Sequence, residues 1–206
     1  MKPYHEIAEI LSKNDSILAK VIQSVKTELK PSPSIDVYYW LLEAIVSQQL
    51  SVKVADIIWK RFADLFDNQY PVAKQILLTD DNVYRSIGLS GQKTKYINNV
   101  ASFSLENDLS FEYINAMTDD EIIAYLTQIV GIGKWTVQMI LMFPMDRPNV
   151  FPVDDLGIQT KMKAWYKIDL EKKELKAKLT SISDKWDPYK TLACKYLWKS
   201  NLEIST

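Results

Sequence analysis

Three short stretches carry residue types whose spacing could do chemistry. In the first, Gly131-Ile132-Gly133 is followed at once by Lys134, Trp135 and Thr136. Glycines there permit positive φ and a close backbone approach, and a helix starting directly after them begins with amides that lack an intrahelical partner. Such a helix start can hold a phosphate oxygen, with Lys134 adding charge and the Thr136 hydroxyl another donor. A tight helix–helix turn with no ligand uses the same glycines. The run is not a nucleotide triphosphate loop, because GxxxxGK[ST] and a preceding strand are both missing. In the second stretch, Val150-Phe151-Pro152-Val153-Asp154-Asp155-Leu156, Asp155 stands 22 residues after Gly133. One helix of about ten residues and a turn-rich loop would return it beside the glycines. Either Asp can cap the next helix, and capping alone accounts for at least one of them. Two adjacent carboxylates near an anion-holding turn and large aromatics also suit chemistry on a charged substrate. The third stretch, Ser47-Gln48-Gln49-Leu50, falls at a sharp turn between two expected helices.

Composition removes most other chemistries. With one cysteine, Cys194, and one histidine, His5, the 206-residue chain can build no disulfide framework, zinc site or four-thiolate iron–sulfur cluster. A Ser–His–Asp triad would need His5, in an N-terminus expected to be mobile. No apolar run reaches the ~18 residues of a membrane helix, so no membrane partner is expected. MKPYHEIAEI is no secretory signal, which places the chain in a reducing cytoplasm, at the nucleoid, or in the nucleus of a eukaryote. Net charge is −1, but residues 156–200 carry 11 Lys against 5 acids, while residues 1–155 carry 14 basic and 20 acidic side chains. A basic C-terminal segment fits a face meeting a polyanion; solvated helix faces explain it as well.

The elements that must position these residues read as helix after helix. All five glycines lie between Gly88 and Gly157, and apolar residues recur at three- and four-residue spacing elsewhere. Ile17, Leu18, Val21, Ile22, Val25 and Leu29 form one stripe, ended by Pro31-Ser32-Pro33-Ser34. Asp36 is placed to cap the next helix, and another runs from Ser51. Short helices over 71–78 and 80–86 precede the Gly88–Gly91 break, and 93–104 is helical again. Thr118-Asp119-Asp120-Glu121 is a capping box opening a helix through Ile129. A helix then passes through Trp135, Met139 and Phe143, and others lie near 155–167, 171–182 and 188–200. No alternating strand pattern appears. The fold class is all-α.

These segments, in this order, resemble the helix–hairpin–helix DNA glycosylases. The hairpin 126–136 and the loop ending in Asp155 match that family's mark. Ala44–Ser51 resembles its early SQQ-type segment, and Gly88–Tyr96 a second recurrent loop. Phe151–Leu156, Trp186–Ala193 and Tyr196-Leu197-Trp198 resemble its 3-methyladenine (alkylpurine) branch. The resemblance runs from about residue 36 to 200 and implies a two-lobed helical fold. Residues 35–115 would form a six-helix barrel-type lobe, and 1–34 with 116–206 the second lobe, carrying the hairpin and leaving a DNA cleft between. The β-rich N-terminal domain of a bacterial relative is expected to be missing.

The resemblance implies a base-flipping enzyme that hydrolyses the N-glycosidic bond of alkylated purines, of the 3-methyladenine or 7-methylguanine type, in duplex DNA. Breaking that bond builds positive charge on the sugar, which a carboxylate stabilises. Asp155-Leu156-Gly157-Ile158 fits the catalytic register, with Asp154 the nearest alternative. Members that also cut the strand carry Lys where Trp135 stands here, so no Schiff base and no lyase step are expected. Trp135 and Trp198 would be pocket aromatics, with core packing as the alternative, and Met139 stands where a relative has a pocket Tyr. A base alkylated on a ring nitrogen is cationic and stacks well on an indole. Gly131, Gly133, Lys134 and Thr136 would hold DNA phosphate. Gln49, or else Leu50, would fill the space left by the flipped base; a buried amide satisfying a helix end is the alternative. The backbone carbonyls of Thr127, Ile129 and Ile132 would hold a monovalent or hydrated metal ion; no cofactor is otherwise required. A monomer acting alone on damaged duplex is expected. Rival readings are a same-fold glycosylase for another lesion, a non-catalytic binder of bent or damaged DNA, and a helical scaffold with no nucleic-acid role.

Overall fold

The computed structural model describes residues 2–31 and 36–200; among them helices are the only regular elements. The break expected at 31–34 falls mostly outside that range. Backbone contacts divide the chain into two units, Pro33–Ile140 and Met1–Ser32 with Leu141–Thr206.

The 33–140 unit contains α3 (Val37–Ser47), α4 (Val52–Ala63), α5 (Ala73–Leu78), α6 (Asp81–Ser86), α7 (Gly91–Glu106), α8 (Phe111–Asn115), α9 (Asp119–Leu126) and most of α10 (Lys134–Met142). Local chemistry sets several starts. The Asp36 carboxylate accepts from the Tyr39 amide at 2.9 Å, and Ser51 precedes α4 as expected. The Thr118–Glu121 capping box is present in both directions. α7 buries Thr94, Ile97, Val100 and Ala101 along one face and packs on α3, α5 and α6. α3 contributes Leu41, Leu42, Ile45 and Val46 to this core, and Phe62 and Tyr84 close it. Helix α8, capped by Ser110, was not anticipated. α9 stops at Leu126 rather than running through Ile129, which sits in the following turn.

The other unit contains α1 (Tyr4–Asn14), α2 (Ser16–Ser24), α11 (Leu156–Tyr166), α12 (Lys172–Ser183) and α13 (Lys190–Lys199). α13 packs on α1, α2 and α11. His5 lies in α1, whose Ile7, Ala8 and Leu11 are buried, so the expected mobile N-terminus is instead an anchored helix. The stripe expected to continue to Leu29 ends at Ser24. The Ser24 hydroxyl bonds the Val21 carbonyl at 2.7 Å, and Val25 turns extended. The lysine excess of 156–200 is partly neutralised inside the unit. Lys163, Lys176, Lys190 and Lys195 pair with Glu171, Asp154, Asp184 and Asp146, and Lys161 bonds the Ser200 carbonyl.

Asp15 ties this unit together. Its Oδ1 caps α2 by accepting from Ile17 and Leu18 amides at 3.0 and 3.1 Å. Its Oδ2 accepts from the Tyr166 hydroxyl at 2.8 Å and the indole N–H of fully buried Trp186 at 3.1 Å. Burial alone would raise its carboxyl; the hydrogen bonds from Leu18, Tyr166, Trp186 and Ile17 outweigh burial and hold it below the usual range. Its stabilisation is therefore full above the ordinary carboxylate pKa of about 4 and is lost as pH falls through the lower folded value. Asp15→Ala removes a cap and orphans two buried donors, an expected loss of about 3 kcal/mol at neutral pH. Thermal melts from pH 7 downward should show the difference from wild type shrinking only in strong acid.

Candidate functional site

The segment from α9 to α10 forms a helix–turn–helix with little intervening loop. Ile129 N–H bonds the Leu126 carbonyl at 3.1 Å and Ile132 N–H bonds the Ile129 carbonyl at 2.9 Å, so the turn is a chain of tight bonds. Only Gly131 has positive φ, +109°, and a Cβ there would stand 2.3 Å from Cγ of Tyr96. Gly133 needs no special φ, and a Cβ there would meet nothing within 4 Å. The two glycines, equivalent as letters, thus differ: Gly131 is required by geometry, and Gly133 leaves backbone exposed at the start of α10. Gly133 and Lys134 are exposed together there, whereas Thr136 is buried at 5% exposure. Of the carbonyls expected to hold a cation, those of Thr127, Ile129 and Ile132, that of Ile129 already accepts one amide.

Side chains from α3 and α7 clamp this turn. Gln48 Nε2 donates to the Gly131 carbonyl at 3.3 Å, and Asn99 Nδ2 donates to the Val130 carbonyl at 3.0 Å. Lys93 Nζ donates to the Val46 carbonyl at 2.7 Å, and burial pushes its ammonium below the usual range. The segments 44–51 and 88–96 therefore act here as supports of the hairpin. The hairpin, expected in the lobe with residues 116–206, falls instead in the Pro33–Ile140 unit. Tyr96, Asn99 and Lys93 had not been singled out as supports. Their partners are backbone groups 31 or more residues away, or a Cβ that glycine lacks, and neither leaves a pattern in sequence.

Beside the hairpin, in the same unit, α3 and α10 enclose a cavity of about 520 Å³. Trp40, Glu43, Ala44, Ser47 and Gln48 line it from α3 and its end; Trp135, Thr136, Met139 and Ile140 line it from α10. Trp135 is 46% exposed, so core packing does not account for it. Gln49 and Leu50 complete the lining, both exposed, on the turn closed by the Leu50 amide and the Ser47 carbonyl at 3.2 Å. Gln49 has φ +58°, a left-handed conformation that costs a non-glycine residue about 1 kcal/mol. The turn presents the exposed Gln49 side chain to the pocket lining from a strained backbone.

The acidic turn belongs to the other unit. Asp155 is 9% exposed and caps α11, its Oδ1 accepting from the Ile158 amide at 2.7 Å. The same oxygen accepts from the Trp198 indole N–H at 3.0 Å. Trp198 stacks on Phe143 with centroids 5.6 Å apart, which fixes the indole plane. Trp198 was grouped with Trp135 and Met139; here it sits with Asp155 and orients the carboxylate. Gly157 is the residue that sequence reading passed over. A Cβ there would lie 3.0 Å from Asp155 Oδ1 and 3.2 Å from Trp198 Nε1. Its signal was a glycine in the first turn of a helix, where alanine is favoured by about 1 kcal/mol unless space is needed. Cys194 is fully buried beside this group, and burial, then the Asp155 charge, push its thiol well above the usual range. Asp154 pairs with Lys176 at 2.5 Å and is half exposed.

A family model described as HhH-GPD superfamily base excision DNA repair protein matches residues 42–185. The chain belongs to the HhH-GPD superfamily. The HhH-GPD match takes in the pocket wall apart from Trp40, the hairpin and Asp155, and stops before Trp198. A Bacillus subtilis relative, provisionally named a DNA-3-methyladenine glycosylase, is 34% identical over 170 residues, 80% of this chain and 58% of that protein. The chain thus spans less than two thirds of that relative. DNA-3-methyladenine glycosylase 1 of Schizosaccharomyces pombe is 34% identical over 166 residues, 80% of this chain and 72% of the relative. The solved structure of a Schizosaccharomyces pombe 3-methyladenine DNA glycosylase with abasic DNA superposes with a TM-score of 0.83 at 29% identity, covering 94% and 95% of the two chains.

Proposed function

We propose that this HhH-GPD protein is a monofunctional DNA glycosylase that flips alkylated purines out of duplex DNA and hydrolyses their N-glycosidic bond. The observation that carries the reading is Asp155: a nearly buried carboxylate held by the Ile158 amide and the Trp198 indole, in a chain whose relatives are named for 3-methyladenine. A carboxylate fixed before the reaction stabilises the positive charge that develops on the sugar without reorganising. Trp135 and Met139 would receive the base in the α3–α10 pocket, with Gln49 or Leu50 entering the vacated stack. Gly131, Gly133 and Lys134 would hold phosphate at the start of α10. Thr136, being buried, would serve the pocket wall instead.

No cofactor is needed for hydrolysis. The Thr127, Ile129 and Ile132 carbonyls form a neutral oxygen set, which suits a weakly held monovalent cation bridging to phosphate better than a divalent one. Trp135 supplies no amine where a strand-cutting relative carries Lys, so the product would be an abasic site. The test is incubation of the protein as a monomer with methylated duplex. Breaks that appear only after alkali are expected; breaks before alkali would refute the monofunctional reading. Tight, salt-dependent binding with no abasic sites would instead favour a non-catalytic binder.

A further inference from the structure

The pocket between α3 and α10 contains a charged group that the proposed chemistry has not used. Glu43 lies on the wall of the cavity one turn from Trp40 and one turn from Ser47, and it is half buried. Among the described residues no lysine or arginine lines the cavity. None of the hydrogen bonds or ion pairs among the described residues involves the Glu43 carboxylate. A half-buried carboxylate without a counter-charge is costly for a helix position that glutamine or alanine would fill at least as well. We propose that Glu43 reads the charge of the base, so that the pocket prefers purines carrying a positive charge over neutral purines of the same shape. The inference rests on the glycosylase reading above and deepens it.

Two further observations point the same way. Trp40 and Trp135 line the same space, and aromatic rings together with one carboxylate form the chemistry by which cations are held. Burial, then the neighbouring Asp56 carboxylate, push the Glu43 carboxyl above its usual range. A cation entering the pocket reverses that cost, whereas a neutral base does not. Purines alkylated at a ring nitrogen are the bases that bring such a charge without added bulk beyond a methyl group.

The test separates charge from shape. Duplexes would carry either 2′-fluoroarabino-7-methylguanosine, cationic and slow to cleave, or the 7-deaza-7-methyl counterpart, which keeps the methyl and loses the charge. Wild type should bind the cationic duplex more tightly by on the order of tenfold. In Glu43→Gln, close in size, that ratio should fall severalfold, the part due to the two indoles remaining, and Glu43→Asp should keep most of it. An unchanged ratio in Glu43→Gln, or no preference in wild type, would overturn the charge-reading role even if methylpurine is released. Failure of wild type to release any methylpurine from ordinary methylated DNA would overturn the glycosylase reading, and this role with it.

Discussion

Asp155→Asn is expected to lose base excision on the order of 10²- to 10³-fold while leaving the fold intact. Asparagine is as good a helix cap as aspartate, and its side-chain oxygen can accept from both the Ile158 amide and the Trp198 indole. The cost to stability should therefore stay within about 1 kcal/mol, mostly the lost charge at the start of α11. Capping and the proposed chemistry come apart in this one variant. Asp155→Ala removes both, so its lower activity would be mixed with the loss of the cap and an orphaned indole N–H. Single-turnover rates beside thermal melts would read the two effects separately. A residual rate near wild type in Asp155→Asn would reduce the carboxylate to a cap. The loss should be smaller for a cationic base, which leaves more readily than a neutral one.

Gly131→Ala is expected to destabilise the protein by about 2–5 kcal/mol, from positive-φ strain and overpacking against Tyr96. For a chain of this size that is a drop in Tm of about 10 °C. The turn would have to lift from the ring, stretching the bonds that Gln48 and Asn99 make to its carbonyls. Gly133→Ala is the internal comparison, since its Cβ meets nothing and its stability should stay within about 0.5 kcal/mol of wild type. Adding Tyr96→Ala to Gly131→Ala should recover the steric part of the loss but not the part due to φ. Equal melting temperatures for the two glycine variants would contradict the assignment of distinct roles.

What was legible in the sequence was what neighbours in the chain decide. The Thr118–Glu121 capping box, the Asp36 cap and the breaks around Gly88 depend on residues within a few positions, and each appears as expected. The end of α2 was misjudged because the apolar stripe continues while Ser24 and Val25 leave the helix. The glycine doublet was visible, but which glycine is required depends on Tyr96, 35 residues earlier. Trp198 reaches Asp155 Oδ1 across 43 residues through space that a Cβ at position 157 would crowd, a relation that only packing reveals. Nothing in the local sequence sets Glu43 apart; the cavity it shares with Trp40 and Trp135 does. Residue type thus pointed to candidates, and tertiary contact sorted them into hairpin supports, pocket walls and a helix cap.

The most direct measurement is chromatography of the free base released from methylated duplex DNA, with wild type and Asp155→Asn run side by side under single turnover. Release of 3-methyladenine and 7-methylguanine by wild type, slowed on the order of 10²-fold or more in Asp155→Asn, is the predicted result. No released base from wild type, or equal release by both proteins, would contradict it.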